Sequence, residues 1–199
     1  MIATGLLLFT LAGGAGAQQT TEPQPCASIV SPDAAGREKV LRRAKCAYLW
    51  QRMAPHSYSP EIVEHFISEH ERMGIGPEWL ASLTYGFANF GLRLNKRAPG
   101  LCYGPMDVKW GGYARRAGCR RPDDLRNWQL NITAHCLEAR VGVGKGYRGQ
   151  ALCRYIMFPA RPHDWGGGRF RRTWQRCLRL LAEGYAAGKI VGTEPRGGH

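Results

Sequence analysis

GPEWLASLTYGFANF, residues 76–90, is the stretch whose reading decides the fold. Pro77 suits the first turn of a helix, where its missing N–H is not needed, and Glu78 favours the positive end of the helix dipole. Beyond Glu78 the stretch carries no charge, and Leu80, Leu83 and Phe87 recur at three- and four-residue spacing. That period belongs to an α-helix with a buried face. The same signals repeat on either side. Asp33 to Gln51 is helix-forming, with Val40, Leu41, Ala44, Ala47 and Tyr48 in register. The run Pro55-His56-Ser57-Tyr58-Ser59-Pro60 breaks it, and Ser59 then caps a helix with Pro60 at its first position and Ile62, Phe66 and Met73 on one face. A further helix is expected from about Leu125 to Arg140, inward along Trp128, Ile132, Cys136 and Ala139. The last is the most regular: Phe170, Trp174, Cys177, Leu178, Leu181 and Tyr185 share a side, and Gly188 ends it. Gly-rich stretches at 142–149 and 166–168 read as loops, strands are scarce, and the fold class is therefore mainly α.

The N-terminus reads differently. Leu6 to Leu11 form a short apolar run, and Ala15-Gly16-Ala17 follows the small-x-small cleavage pattern, so residues 1–17 read as a signal peptide. The run is far below the roughly 20 residues a spanning helix needs, and no membrane span is expected after cleavage. The expected location is the periplasm or the extracellular space. Seven cysteines lie beyond residue 17, at 26, 46, 102, 119, 136, 153 and 177. In an exported chain they suggest disulfides, and a Cys102–Cys119 bridge would brace the loop between them. The odd number leaves one thiol over in any pairing, and buried free cysteines are the alternative.

The net charge is +13, carried by residues outside the signal peptide. An anionic partner is implied, and Arg161, Arg169, Arg171, Arg172, Arg176 and Arg179 concentrate that charge late in the chain. Cell-wall polymers, anionic lipid and nucleic acid are all compatible with charge alone. No nucleic-acid-binding motif accompanies it, which disfavours the last. His65, Glu69 and His70 lack a third ligand, and Gly142 to Gly146 lack the spacing of a phosphate loop, so neither a metal site nor a cofactor is expected.

Four local motifs, in this order, resemble those of soluble lytic transglycosylases. Gly76-Pro77-Glu78-Trp79-Leu80-Ala81 is similar to the start of the family's catalytic helix. Tyr103-Gly104-Pro105-Met106-Asp107 resembles its cleft-lining Gly-Leu-Met-Gln turn. Asp124-Leu125 followed by Asn131-Ile132 resembles its Asp-Leu…Asn-Ile helix, and Ala151-Leu152-Cys153-Arg154-Tyr155 with Pro159 resembles its Ala-Leu-Ala-Ala-Tyr segment. The resemblance covers roughly residues 60–180. It implies a single lysozyme-like helical domain at 60–187, preceded by a leader and helix at 18–59 and followed by a tail at 188–199. It also implies a role on glycan strands of alternating N-acetylmuramic acid and N-acetylglucosamine, either alone or within a secretion or phage assembly.

The departures fall at working positions. The family's catalytic glutamate is Phe87 here, its cleft asparagine is Ile156, and a glycine two further on is Phe158. Such a glutamate serves first as acid and then as base, and a phenyl ring does neither. Asp107 is the candidate substitute, because it stands beside the cleft in place of the family's glutamine. Tyr85, Asn89, Tyr103, Gly104, Pro105, Met106, Asn131 and Tyr155 are the candidate substrate-binding residues. Two functions remain open: a divergent glycan-cleaving lyase, and a catalytically inactive scaffold that binds peptidoglycan or a protein partner.

Overall fold

A computed structural model describes residues 33–90, 92–94, 97–98, 102–157 and 168–191. The segment read from sequence as a signal peptide at 1–17, the stretch from there to residue 32 with Cys26, and Phe158, Pro159, Arg161, Gly166, Gly167 and the residues from 192 lie outside the described residues. The chain is mainly helical. Helix α1 spans Asp33–Met53 and α2 spans Pro60–Arg72. A 3-10 turn at Gly76–Glu78 leads into α3, Trp79–Phe90, so Pro77 opens that turn one step before the α-helix proper. Three antiparallel two-residue strands follow, β1 (Arg97–Ala98), β2 (Cys102–Tyr103) and β3 (Val108–Lys109), in the order β1-β2-β3. Then come α4 (Gly112–Arg116), a 3-10 turn at Pro122–Arg126, α5 (Trp128–Gly144), α6 (Gly149–Met157) and α7 (Gly168–Ala186).

The helix ends follow from local chemistry. The Ser59 hydroxyl accepts from the Ile62 N–H at 3.2 Å, and Asn127 Oδ1 caps α5 by accepting from Gln129 N and Leu130 N at 2.9 and 3.3 Å. At the other end of α7, Gly188 has φ 64; its N–H reaches Tyr185 O, and that of Lys189 reaches Gly184 O at 2.9 Å. That pair of bonds satisfies carbonyls the last turn would leave open, and the left-handed residue it needs favours glycine.

Helix α3 is the hub, packed against α1, α5, α6 and α7. Because it carries no charge, with only Ser82, Thr84 and Asn89 polar besides its tyrosine, it can be buried on every side from Ala81 to Asn89. Phe87 packs edge-on to Trp50 of α1 at 6.5 Å, and Trp50 packs the same way onto Phe66 of α2 at 5.7 Å. Trp50 Nε1 donates to Ser57 Oγ at 3.0 Å, which satisfies the indole inside the core.

Several expectations are corrected. Helix α5 does not stop at Arg140; it runs to Gly144, and the loop expected at 142–149 shrinks to the few residues before α6. Gly142 is a packing glycine, since a Cβ there would lie 2.5 Å from Tyr155 Cδ1 and 2.6 Å from Leu152 Cδ1. Leu178 falls off the inward side of α7 and is 41% exposed. Glu69 is buried, with both carboxylate oxygens on the Arg72 guanidinium at 2.7 and 2.8 Å. Cys119 is a buried free thiol, so the Cys102–Cys119 bridge is absent from this structure; Cys46, Cys136, Cys153 and Cys177 are buried thiols as well. Among the described residues no helix is long and apolar enough to cross a membrane.

Candidate functional site

The loop at 103–108 hangs from one side chain. Fully buried Asn131, in the first turn of α5, donates from Nδ2 to Tyr103 O at 2.7 Å and to Leu125 O at 3.2 Å, and its Oδ1 accepts from Met106 N at 2.9 Å. Gly104 makes that approach possible. Its φ is 69, and a Cβ there would stand 2.5 Å from Asn131 Nδ2 and 2.8 Å from Leu125 O. Met106 plugs the loop into the core beneath Gly86. The Asp107 N–H then closes the turn onto Gly104 O at 3.2 Å, leaving Asp107 at φ 51, a conformation aspartate tolerates better than most residues.

Asp107 is thereby presented to the end of α3. Its Oδ2 accepts from Asn89 Nδ2 at 3.3 Å, while Asn89 O accepts from Arg169 Nη2 of α7 at 2.8 Å. One turn back on α3, the Tyr85 ring stacks on His135 of α5 at 5.3 Å and tilts against Phe170 of α7 at 6.1 Å. Burial pushes the Tyr85 phenol well above its ordinary range, and the carboxylates of Asp107 and Glu138 push it further in the same direction. Two acids from different elements thus act on one phenol.

Glu138 is the residue that sequence reasoning missed. It lies on α5 at the fourth-and-third spacing Asn131, His135, Glu138, Gly142, the face that looks toward the loop, α3 and α6. Burial raises its carboxyl from the ordinary 4.5 to about 7. The Glu138 charge raises Tyr85 and also Tyr113 of α4, a phenol that is in addition hydrogen-bonded to Tyr155 of α6. Tyr155 stacks on Tyr147 at 4.9 Å and lies under Lys145 Nζ at 5.1 Å. A sequence signal for Glu138 exists: it is the only acidic residue of α5 and stands seven positions after Asn131.

His135 closes the floor. It is fully buried, its nitrogens have no hydrogen-bond partner among the described residues, and burial with the charge of His70 lowers it from 6.5 to about 3. It is a neutral, ring-stacked wall. His70 behaves likewise, lowered by burial to about 4, with Nδ1 2.7 Å from Phe66 O and 3.4 Å from Cys136 Sγ. Burial raises the Cys136 thiol well above its ordinary range, the reverse of what a nucleophilic thiolate needs.

Of the residues expected to bind substrate, the structure brings Tyr85, Asn89, Tyr103, Gly104, Pro105, Met106 and Asn131 together around Asp107, but as buried supports. Tyr103, Met106 and Asn131 are at most 1% exposed and position the loop rather than face solvent. Tyr155 belongs to the Glu138 side of the group. Asp107, Glu138, Tyr113 and Trp110 keep partial exposure, and Trp110, with Arg115 over its ring at 5.5 Å, offers a flat apolar face three residues before Tyr113. Phe87 and Ile156 are core residues; neither reaches the group as a polar side chain. Set against known protein families, characterised proteins and solved structures, the chain matches none of them.

Proposed function

We propose that this chain is an exported, divergent lytic-transglycosylase-like protein that acts on cell-wall glycan strands. One observation carries the reading: the loop whose motif resembles the family's cleft turn presents Asp107 to the same phenol, Tyr85, that Glu138 approaches from α5. Two carboxyl groups in different surroundings, beside partly exposed aromatic rings, are the equipment of glycosidic-bond chemistry. The helical domain is read as lysozyme-like on the ordered motifs. The positive charge suits a polymer whose stem peptides carry carboxylates. Export would also expose the cysteines to oxidation, and a disulfide brace belongs to the same proposal; peptide mapping without reduction decides which cysteines pair.

The second reading, an inert glycan-binding scaffold, is favoured by Phe87, whose ring fills the family's acid position and packs on Trp50. Purified insoluble peptidoglycan tests both. Release of 1,6-anhydromuropeptides supports the first reading, co-sedimentation without product supports the second, and failure to co-sediment overturns both.

A further inference from the structure

We infer that the outward face of α7 is a docking track for the carboxylates of the wall polymer's stem peptides, an inference that rests on the glycan-binding reading above. Gly168, Arg171, Arg172, Gln175, Arg176 and Arg179 line an open groove of about 830 Å³ along that helix. These four arginines are exposed, while Phe170, Cys177, Leu180, Leu181 and Gly184 of the same helix are buried. The apolar side holds α7 against α1, α3 and α6, so closely that a Cβ at Gly184 would stand 2.9 Å from the Tyr48 ring of α1. The guanidinium groups are thus carried on a fixed element rather than on a loop.

The charge on this face is not balanced within the helix. Helix α7 carries Arg169, Arg171, Arg172, Arg176 and Arg179 against a single acid, Glu183, which meets Arg179 at 3.8 Å in an exposed pair. Arg171, Arg172 and Arg176 form no ion pair among the described residues. Such a face works against its own helix. Arg169, Arg171 and Arg172 crowd the first turn, where the helix dipole disfavours cations, and Arg172 and Arg176 stand four residues apart, where like charges repel. Local rules broken with no compensation inside the protein point to a partner outside it, and an anion lying in the groove relieves both conflicts.

The course of the face selects the anion. Arg169, Arg172, Arg176 and Arg179 recur at spacings of three, four and three, so they stand along one side of the helix over about 15 Å. At the near end Arg169 Nη2 donates to Asn89 O at 2.8 Å, and the Asn89 amide donates to Asp107 Oδ2 at 3.3 Å. A glycan chain crossing the 103–108 loop therefore continues onto a row of guanidinium groups, each a planar fork matched to a carboxylate. A membrane surface fits less well. A helix lying on a bilayer sinks its apolar side into the headgroup boundary, and that side of α7 is already buried in the domain, with Leu178 the one large apolar residue of the helix left exposed.

The test uses the full chain and purified insoluble peptidoglycan, reading co-sedimentation from about 0.05 to 0.5 M salt. The triple variant Arg172→Gln, Arg176→Gln, Arg179→Gln is expected to bind about 10-fold more weakly at low salt, the scale of three exposed charge pairs, and to lose less than the parent as salt is raised. Lysine at the same three positions should retain most of the binding. Because the three side chains are exposed and repel one another, neither variant's melting midpoint should fall below the parent's. Peptidoglycan whose free carboxyls have been converted to amides should hold the parent no better than the glutamine variant is held by the untreated polymer, an arm that needs no variant to fold. Equal binding by the parent and a folded glutamine variant overturns the track and leaves the glycan reading standing, and so does parent binding indifferent to amidation. A parent that fails to co-sediment removes the glycan reading and the track with it. If that parent instead binds duplex DNA in a salt-dependent way that the glutamine variant loses, the groove is a phosphate surface.

Discussion

Replacing Glu138 by glutamine should change how stability depends on pH, and the direction can be worked from half-buried Glu138 and the two buried histidines, His70 and His135. Glu138 titrates at 4.5 when unfolded and about 7 when folded, so its contribution is fully present below 4.5 and is lost as pH rises through 7. His70 and His135 run the other way. Lowered from 6.5 to about 4 and about 3, they contribute above 6.5 and lose that contribution as pH falls through the folded values. Between pH 4.5 and 6.5 the unfolded chain therefore holds two extra protons on the histidines and the folded chain one on Glu138. The net difference of one proton makes stability rise with pH by about 1.4 kcal/mol per pH unit. In Glu138→Gln the opposing carboxyl is gone, the difference becomes two protons, and the slope doubles to about 2.7 kcal/mol per pH unit. From pH 4.5 to 8 the variant should gain about 3 kcal/mol on the parent. Groups common to both proteins cancel in the comparison. Urea unfolding followed by tryptophan fluorescence, at half-unit steps from pH 4.5 to 8, reads the two slopes directly. Parallel curves would show that the Glu138 carboxyl is as solvated in the folded chain as in the unfolded one.

Other perturbations report on the supports. Asn131→Ala strands Tyr103 O and Met106 N inside the protein and should cost about 3 kcal/mol, lowering the melting midpoint by roughly 6–12 °C; an unshifted midpoint would mean that the loop does not depend on Asn131. Gly104→Ala meets both a left-handed backbone and the Asn131 amide, so a loss of comparable size is expected in the same melt, with peptidoglycan co-sedimentation reduced alongside. Phe87→Glu places a carboxylate against Trp50 and should destabilise by more than 2 kcal/mol without creating lytic activity; a folded, more active Phe87→Glu would mean that this position still faces the cleft. In reduced protein, Cys136, Cys153 and Cys177, all buried with thiols raised by burial, should resist alkylation at pH 8 and react fully in urea, as counted by mass spectrometry.

The sequence exposes the punctuation of this fold better than its interior. Ser59 and Gly188 are where a capping hydroxyl and a left-handed stop are wanted, because caps are local chemistry. Gly142 misleads for the opposite reason. It looks like a loop glycine, yet it continues α5 because Tyr155 and Leu152 occupy the space of its absent side chain, a demand set by another helix. Glu138 escapes for a related cause. Helix α5 packs against α2, α4, α6 and α3, so it is inward on more than one side and shows no single apolar stripe. Reading the Trp128–Ile132–Cys136–Ala139 side leaves Asn131, His135 and Glu138 seemingly outside, although the first two are fully buried. The candidate site is legible only in part: the loop and Asp107 carry a motif, whereas the second carboxyl depends on which helices close around it. The strands escape altogether, since two residues show no period.

The tethering of the loop by Asn131 also bears on how the loop opens and closes. Strands of two residues are too short to persist alone, and the bonds from Asn131 to Tyr103 and Met106 span 28 and 25 positions along the chain. Closure of the loop is therefore expected to wait on the docking of the first turn of α5, which carries Asn131. The same link works in reverse. Amide hydrogens at Met106 and Asp107 should exchange through a local opening that leaves α1, α2 and α3 intact, so that the 103–108 loop loosens before the helices do.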